Sequence, residues 1–200
     1  MELLLIRHGC CENNGCIAGY FDFPLSTKGI YQAKILGEYL RESKVKLIYT
    51  SPLIRSVSTA KLIGYEIGVK PISLPELKER SAGIFEGLTI SGALKKHPQE
   101  WNRTWSNPLV APLNGESYKD VAKRVLRVLD ILKGIDEGKV AVVSHEGFLN
   151  IFLNILLGLE PKTFPMFKLD NTSISSVFID KLGKITINYI NKIEHLKMPL

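Results

Sequence analysis

The alternation of apolar runs with turn residues divides this chain into strands and helices. Glu2 to Ile6 is a short apolar run that breaks off at Arg7-His8-Gly9, as a buried strand does on entering a turn. Ser26 or Thr27 caps a helix whose apolar positions Ile30, Ala33, Ile35, Leu36, Tyr39 and Leu40 recur near the helical period. Val45 to Tyr49 reads as a second buried strand. Thr50-Ser51-Pro52 then offers an N-cap and a first-turn proline for a helix through Arg55, Ala60, Leu62 and Ile63. A short strand around Ile72 to Leu74 follows.

From about Ser81 to Gly115 the periodicity fades, and Trp101, Trp105, Pro98, Pro108 and Pro112 collect there. Such a stretch reads as a lid excursion, over about residues 81–116, and not as part of the sheet. A helix from Ser117 to about Lys133 turns Val121, Val125, Val128, Leu129 and Leu132 inward. Lys139 to Ser144 is an apolar strand ending at His145-Glu146-Gly147, and Phe148 to Leu157 is an apolar helix. Two strand-like runs, Ile174 to Ile179 and Ile185 to Ile190, flank the turn Asp180-Lys181-Leu182-Gly183. They finish the sheet or pair with a second copy, which leaves a homodimer open. The whole predicts one domain over residues 1–200, a three-layer α/β/α sandwich with a mostly parallel central sheet.

Composition narrows the class. The 200 residues are 45% hydrophobic and 23% charged, an ordinary globular balance. No apolar run nears the roughly 20 residues that span a bilayer, and the start has no basic leader, so the expected address is cytoplasmic with no membrane partner. The net charge of +6 favours anionic ligands. Its lysines and arginines are dispersed among acidic residues, which argues against nucleic acid. The odd trio Cys10, Cys11 and Cys16 fits neither a disulfide framework nor a tetrahedral metal site. Neither a metal nor a cofactor is expected.

Three predicted strands end in reactive chemistry: Arg7-His8-Gly9, Thr50-Ser51-Pro52 leading to Arg55, and Ser144-His145. In open α/β sheets ligands bind beyond the carboxyl ends of strands. Arg7, Arg55, His8 and His145 would therefore converge, with the helices after Ser51 and Gly147 aiming their N-termini at the same crevice. Arginines grip phosphate oxygens, and a neutral histidine nitrogen can attack phosphorus to give a covalent intermediate. Singly, each residue reads as structural; together they point to phosphoryl transfer to His8, with charge from Arg7, Arg55 and His145. A proton donor for the leaving oxygen comes from Glu79 or Glu86, and spacing does not choose between them.

These motifs resemble the histidine phosphatase superfamily, in the branch of cofactor-dependent phosphoglycerate mutases and α-ribazole phosphatases. The resemblance rests on Leu5-Ile6-Arg7-His8-Gly9 with Asn14, Pro24-Leu25-Ser26-Thr27-Lys28-Gly29, and Ser51-Pro52-Leu53-Ile54-Arg55 with Thr59-Ala60. It continues through Leu77-Lys78-Glu79 to Glu86-Gly87, Gly115-Glu116-Ser117 and Val142-Val143-Ser144-His145-Glu146-Gly147. It implies that His8 is the phosphorylated nucleophile, that Arg7, Arg55 and His145 complete the phosphate pocket, and that Asn14 hydrogen-bonds the transferred group. It makes Glu79 the proton donor and leaves Glu86 to a structural turn.

Two departures stand out. Cys10 and Cys11 replace an acidic and a small hydroxyl residue, so Cys11 keeps only a weak S–H contact to phosphate, with a thiol pKa that nearby arginines would lower. Glu146 stands where glycine is common, and its side chain is expected to turn away from phosphate. The resemblance implies a phosphatase acting on a small-molecule phosphate ester. α-Ribazole-5′-phosphate leads, followed by phosphoserine or a broad set of monoesters, with Trp101, Trp105, Tyr20 and Phe21 placed to stack on a ring. The alternatives are a phosphoglycerate mutase and a catalytically inert binding module.

Overall fold

The computed structural model describes residues 1–105, 107–135, 138–160 and 166–197. A sheet of six strands carries the order β3-β2-β4-β1-β5-β6. The strands are β1 (Glu2–Arg7), β2 (Leu47–Thr50), β3 (Ile72–Ser73), β4 (Lys139–Ser144), β5 (Ile174–Ile179) and β6 (Ile185–Lys192). β3, β2, β4 and β1 run parallel, and the terminal hairpin β5–β6 adds antiparallel to β1. The tail strands thus finish the sheet.

Alternation along the central strands makes the two faces. Leu3, Leu5, Val140 and Val142 point to one side and bury against α5 (Tyr118–Lys133) and α6 (Glu146–Leu156). Leu4, Ile6, Ala141 and Val143 point to the other, where α1 (Thr27–Tyr39) and α2 (Ile54–Ile67) cover them. β1 and β4 are apolar on both faces because helices cover both, as buried parallel strands require. The result is the expected three-layer sandwich.

Local chemistry sets the helix starts, with two corrections. Ser26 caps α1 by accepting the Gly29 N–H, and Ser117 and Asp120 form a reciprocal capping box on α5. α2, however, does not start on Thr50-Ser51-Pro52. Its N-cap is Leu53, and the Ile54 N–H is taken by Asp22 Oδ1 at 2.7 Å. Ser51 is fully buried; its Oγ lies 2.8 Å from His145 Nε2 and accepts the Leu53 N–H at 3.3 Å, just ahead of the helix. α6 starts at Glu146, two residues before the predicted Phe148.

Residues 81–116 add no strand, but they hold two short helices where none was predicted, α3 (Ile90–Lys96) and α4 (Pro98–Trp105). Ala82, Phe85, Ala93 and Trp101 form a small core of their own beneath them. Beside it, Arg124 of α5 anchors the segment that precedes this excursion. Its guanidinium donates to the carbonyls of Glu76, Lys78 and Glu79 and pairs with Glu116 at 2.8 Å. Both ends of the excursion are therefore tied to one largely buried cation. Among the described residues no helix is long and apolar enough to cross a membrane.

The C-terminal hairpin is braced by His195, which is fully buried with Nε2 3.0 Å from Thr172 Oγ1. Burial lowers its pKa from 6.5 to about 4.

Buried His195 and Arg124 each lead to a prediction. Between pH 6.5 and about 4 the unfolded chain binds a proton on His195 that the folded protein refuses. Stability therefore falls as pH falls through that window, by on the order of 3 kcal/mol from this residue. Melting curves between pH 7 and 4 should show the decline, and His195→Gln should remove the share due to His195, leaving that of the buried His8 and His145. Arg124→Met strands Glu116 and three carbonyls, and urea denaturation should show a loss of about 3 kcal/mol.

Candidate active site

Parallel pairing brings the reactive strand ends together. The ladder sets Arg7 opposite Ser144 and Thr50 opposite Val143, so β1, β4 and β2 release their chains side by side. A cavity of about 450 Å³ opens at that edge, lined by Arg7, His8, Cys11, Asn13, Arg55, Glu79, Arg80, Tyr118 and Glu146 among others.

His8 is buried, and its orientation fixes its tautomer. Nδ1 lies 2.7 Å from the Gly9 carbonyl, which can only accept, so Nδ1 carries the proton and Nε2 keeps its lone pair. Burial, reinforced by Arg55 and Arg7, lowers the His8 pKa to about 3, so the ring is neutral at physiological pH. The main chain at His8 is held by Asn171 Nδ2, which donates to the His8 carbonyl at 3.0 Å. Gly9 must lack a side chain: a Cβ there would stand 2.6 Å from the Gly29 carbonyl oxygen, because the His8 turn packs directly on the start of α1.

Arg55, in the first turn of α2, is only 1% exposed. Nη1 donates to Phe21 O at 3.0 Å and Nη2 to Gly19 O at 2.8 Å. Each terminal nitrogen retains a second proton for a ligand. Burial pulls its pKa down from the usual arginine value, and Glu79 opposes that pull most strongly. Arg7 donates through Nη1 to Leu169 O and pairs with Glu146 Oε2 at 3.0 Å.

His145 is placed differently from the expectation. It is fully buried behind His8, ring centroids 5.0 Å apart and edge-on, and it is not among the residues lining the cavity. Burial, then His8 and Arg55, hold its pKa well below 6.5, so it contributes a neutral ring where the sequence suggested a charge. Its Nδ1 is buried without a hydrogen-bond partner among the described residues.

Glu79 lies in the cavity with its carboxylate fixed by three backbone donors. Oε1 accepts from Arg80 N at 2.8 Å and Phe148 N at 2.9 Å, and Oε2 from Gly147 N at 3.1 Å. The α6 N-terminus, expected to offer these N–H groups to a phosphate, gives them to Glu79 instead. Glu86 is tied back to Ser81 Oγ and Ala82 N and does not line the cavity.

Four further expectations change. Asn14 is exposed in a left-handed turn (φ 49°) and is not among the cavity-lining residues; its neighbour Asn13 is. The Cys11 thiol pKa is raised, because burial outweighs Arg55 and Arg7. Glu146 does not turn away from the cavity: an arginine is within reach, and the carboxylate pairs with it. Trp101 is buried in the small core of residues 81–116, 5.4 Å from the Phe85 ring. The Trp105 side chain lies outside the described residues. Tyr20 bonds Glu116 Oε2 at 3.3 Å and Phe21 packs on Phe23, and neither lines the cavity. The aromatic that does is Tyr118, beneath Arg80.

Asn13, Arg80 and Tyr118 were missed by sequence reading. Arg80 follows Glu79 directly, and Tyr118 opens α5, so both were within reach of the motifs. Thr59, noted in the sequence beside Arg55, accepts the Gly9 N–H at 3.0 Å and ties α2 to the His8 turn.

Known proteins resemble this chain over nearly their whole length. A phosphoserine phosphatase 1 of Hydrogenobacter thermophilus is 31% identical over 191 residues, spanning 94% of this chain and 90% of its own. A phosphoglycerate mutase of Schizosaccharomyces pombe is 35% identical over 205 residues, spanning 95% and 93%. The crystal structure of the α-ribazole phosphatase from Shigella flexneri superposes with a TM-score of 0.88 at 27% identity, covering 96% of each chain. The model of the histidine phosphatase superfamily (branch 1) matches residues 3–192, and the chain belongs to that family.

Proposed function

We propose that this protein is a phosphatase that hydrolyses a small phosphomonoester through a phosphohistidine on His8, without a metal ion. The observation that carries the reading is His8, its Nδ1 engaged by the Gly9 carbonyl, in a cavity that Arg7 and Arg55 also line. That contact leaves a lone pair on Nε2 where Arg7 and Arg55 can hold a phosphoryl group.

In the first step Nε2 attacks phosphorus and the ester P–O bond breaks. The leaving oxygen takes a proton from the Glu79 carboxylic acid and departs as the alcohol. Arg7 and Arg55 bear the charge of the equatorial oxygens. His145, braced by Ser51, packs edge-on against the His8 ring and holds its orientation. In the second step water attacks phosphorus and gives its proton to the Glu79 carboxylate. The P–N bond breaks, its electron pair returns to Nε2, and inorganic phosphate leaves. Glu79 Oε2 accepts one backbone N–H and retains a site for the travelling proton.

Residues 81–116 act as the lid in this reading. Beneath them a second cavity of about 190 Å³ shares Ile17, Arg80, Ala82 and Tyr118 with the first. It gives the organic part of the ester a place beyond the phosphate. α-Ribazole-5′-phosphate is supported by the likeness to the Shigella structure, but the stacking tryptophan once expected for it, Trp101, is committed to lid packing. Phosphoserine is supported by the Hydrogenobacter relative.

An assay with chelator present, over p-nitrophenyl phosphate, α-ribazole-5′-phosphate, phosphoserine and 3-phosphoglycerate, tests the reading. Wild type should hydrolyse at least one of them, and His8→Ala should hydrolyse none. Glu79→Gln should slow the best substrate by about 10²–10⁴-fold. Activity that survives in His8→Ala, or phosphoglycerate isomerisation with little hydrolysis, would overturn it. Gly147→Ala is a finer probe: the added Cβ would fall 2.6 Å from Glu79 Oε1. Its kcat should drop at least tenfold with little change in KM, a pattern expected when a group acting in the transition state is displaced.

A further inference from the structure

The cavity holds a carboxylate that the phosphoryl chemistry does not use. Glu146, the first residue of α6, reaches back to Arg7 at 3.0 Å. It is held quite differently from Glu79, the other carboxylate there. Three backbone N–H groups pin Glu79. Glu146 is 40% exposed and pairs through its side chain with Arg7, so few constraints oppose its rotation.

Arg7 meets both Glu146 and the Leu169 carbonyl through Nη1, which leaves Nε and Nη2 for a phosphate. A dianion on that edge shares the single positive charge with Glu146 and draws on it more strongly. Glu146 then stands close to the dianion with a weakened partner, a repulsive arrangement unless a second cation comes near them. Position decides where that cation must be. Gly147, the residue after Glu146, donates to Glu79 Oε2 at 3.1 Å. The Glu146 main chain therefore lies beside the Glu79 carboxylate, which protonates the leaving oxygen, and both side chains line the same cavity.

Resting on the phosphatase reading above, we infer that Glu146 is a specificity residue selecting phosphomonoesters whose leaving group carries an ammonium near the ester oxygen. These are the phosphates of amino alcohols and hydroxy amino acids. The substrate's ammonium replaces Arg7 as the partner of Glu146. A neutral leaving group leaves the carboxylate unpaired against the phosphate, and rejection arises from that repulsion as much as acceptance from the new ion pair.

Matched esters test this. Phosphoserine and 3-phosphoglycerate differ by ammonium against hydroxyl, as do phosphoethanolamine and ethylene glycol monophosphate. Wild type should favour the ammonium member of each pair by about tenfold in kcat/KM, or about 1.4 kcal/mol, through KM. Glu146→Gln should bring both ratios close to one. It should also lower KM for p-nitrophenyl phosphate, because Arg7 has lost its anionic competitor, and a misfolded variant would not do that. No ammonium preference in wild type, or one that survives Glu146→Gln, overturns the inference. If wild type hydrolyses no ester, the phosphatase reading fails on its own. Calorimetric binding of the same pairs to His8→Ala, with and without Glu146→Gln, then decides: a ratio lost on substitution supports the role of Glu146, and an unchanged ratio overturns it.

Discussion

A guanidinium shut inside a protein has to be solvated by the protein, and Arg55 imposes that demand on everything near it. Its side chain is 1% exposed, and the carbonyls of Gly19 and Phe21 replace the water it has lost. The loop after β1 must therefore fold inward. Asp22 of that loop then caps α2, which fixes the helix that carries Arg55 itself. The same buried charge helps keep His8 neutral. One desolvated cation thus shapes the loop, the helix start and the protonation state of His8.

Much of this was legible in the residues, because the signals were local. β1, β4 and the terminal hairpin announced themselves as apolar runs between turn residues, and the Ser117 cap lay next to its helix. What escaped depended on partners distant in sequence. Ser51 looks like an N-cap, yet its hydroxyl accepts the N–H of Leu53, the residue before the helix, and reaches His145, 94 residues on. α3 and α4 span 7 and 8 residues, too short for a periodicity that emerges over longer windows. Arg124 reads as an ordinary polar position on a helix; only the tertiary structure shows it gathering three carbonyls and Glu116. Asn14 matched a motif, yet the tight turn at Asn14-Gly15 puts Asn13 in the cavity instead.

The electrostatics of the cavity are mixed in sign, which the net charge of +6 conceals. A helix N-terminus is a natural anion site. At α6 the N–H groups of Gly147 and Phe148 are already taken by the chain's own Glu79, so an anion in the cavity would meet the guanidinium groups of Arg7 and Arg55 more than a free helix end. Arg7 in turn has an internal anion within reach. Such a pocket distinguishes ligands by the placement of their charges and not only by their total charge.

The bracing of the β1 end by the C-terminal quarter bears on how the enzyme is made. Arg7 and His8 are held by Leu169 and Asn171, 162 and 163 residues later in the chain. At a translation rate of about 5–20 residues per second, those partners follow His8 out of the ribosome by about 10–30 s. The β1 end gains these two braces only once that stretch has been made. A nascent chain therefore carries Arg7 and His8 for many seconds before the contacts that hold them can form, and the order of synthesis sets when the cavity around them can be completed.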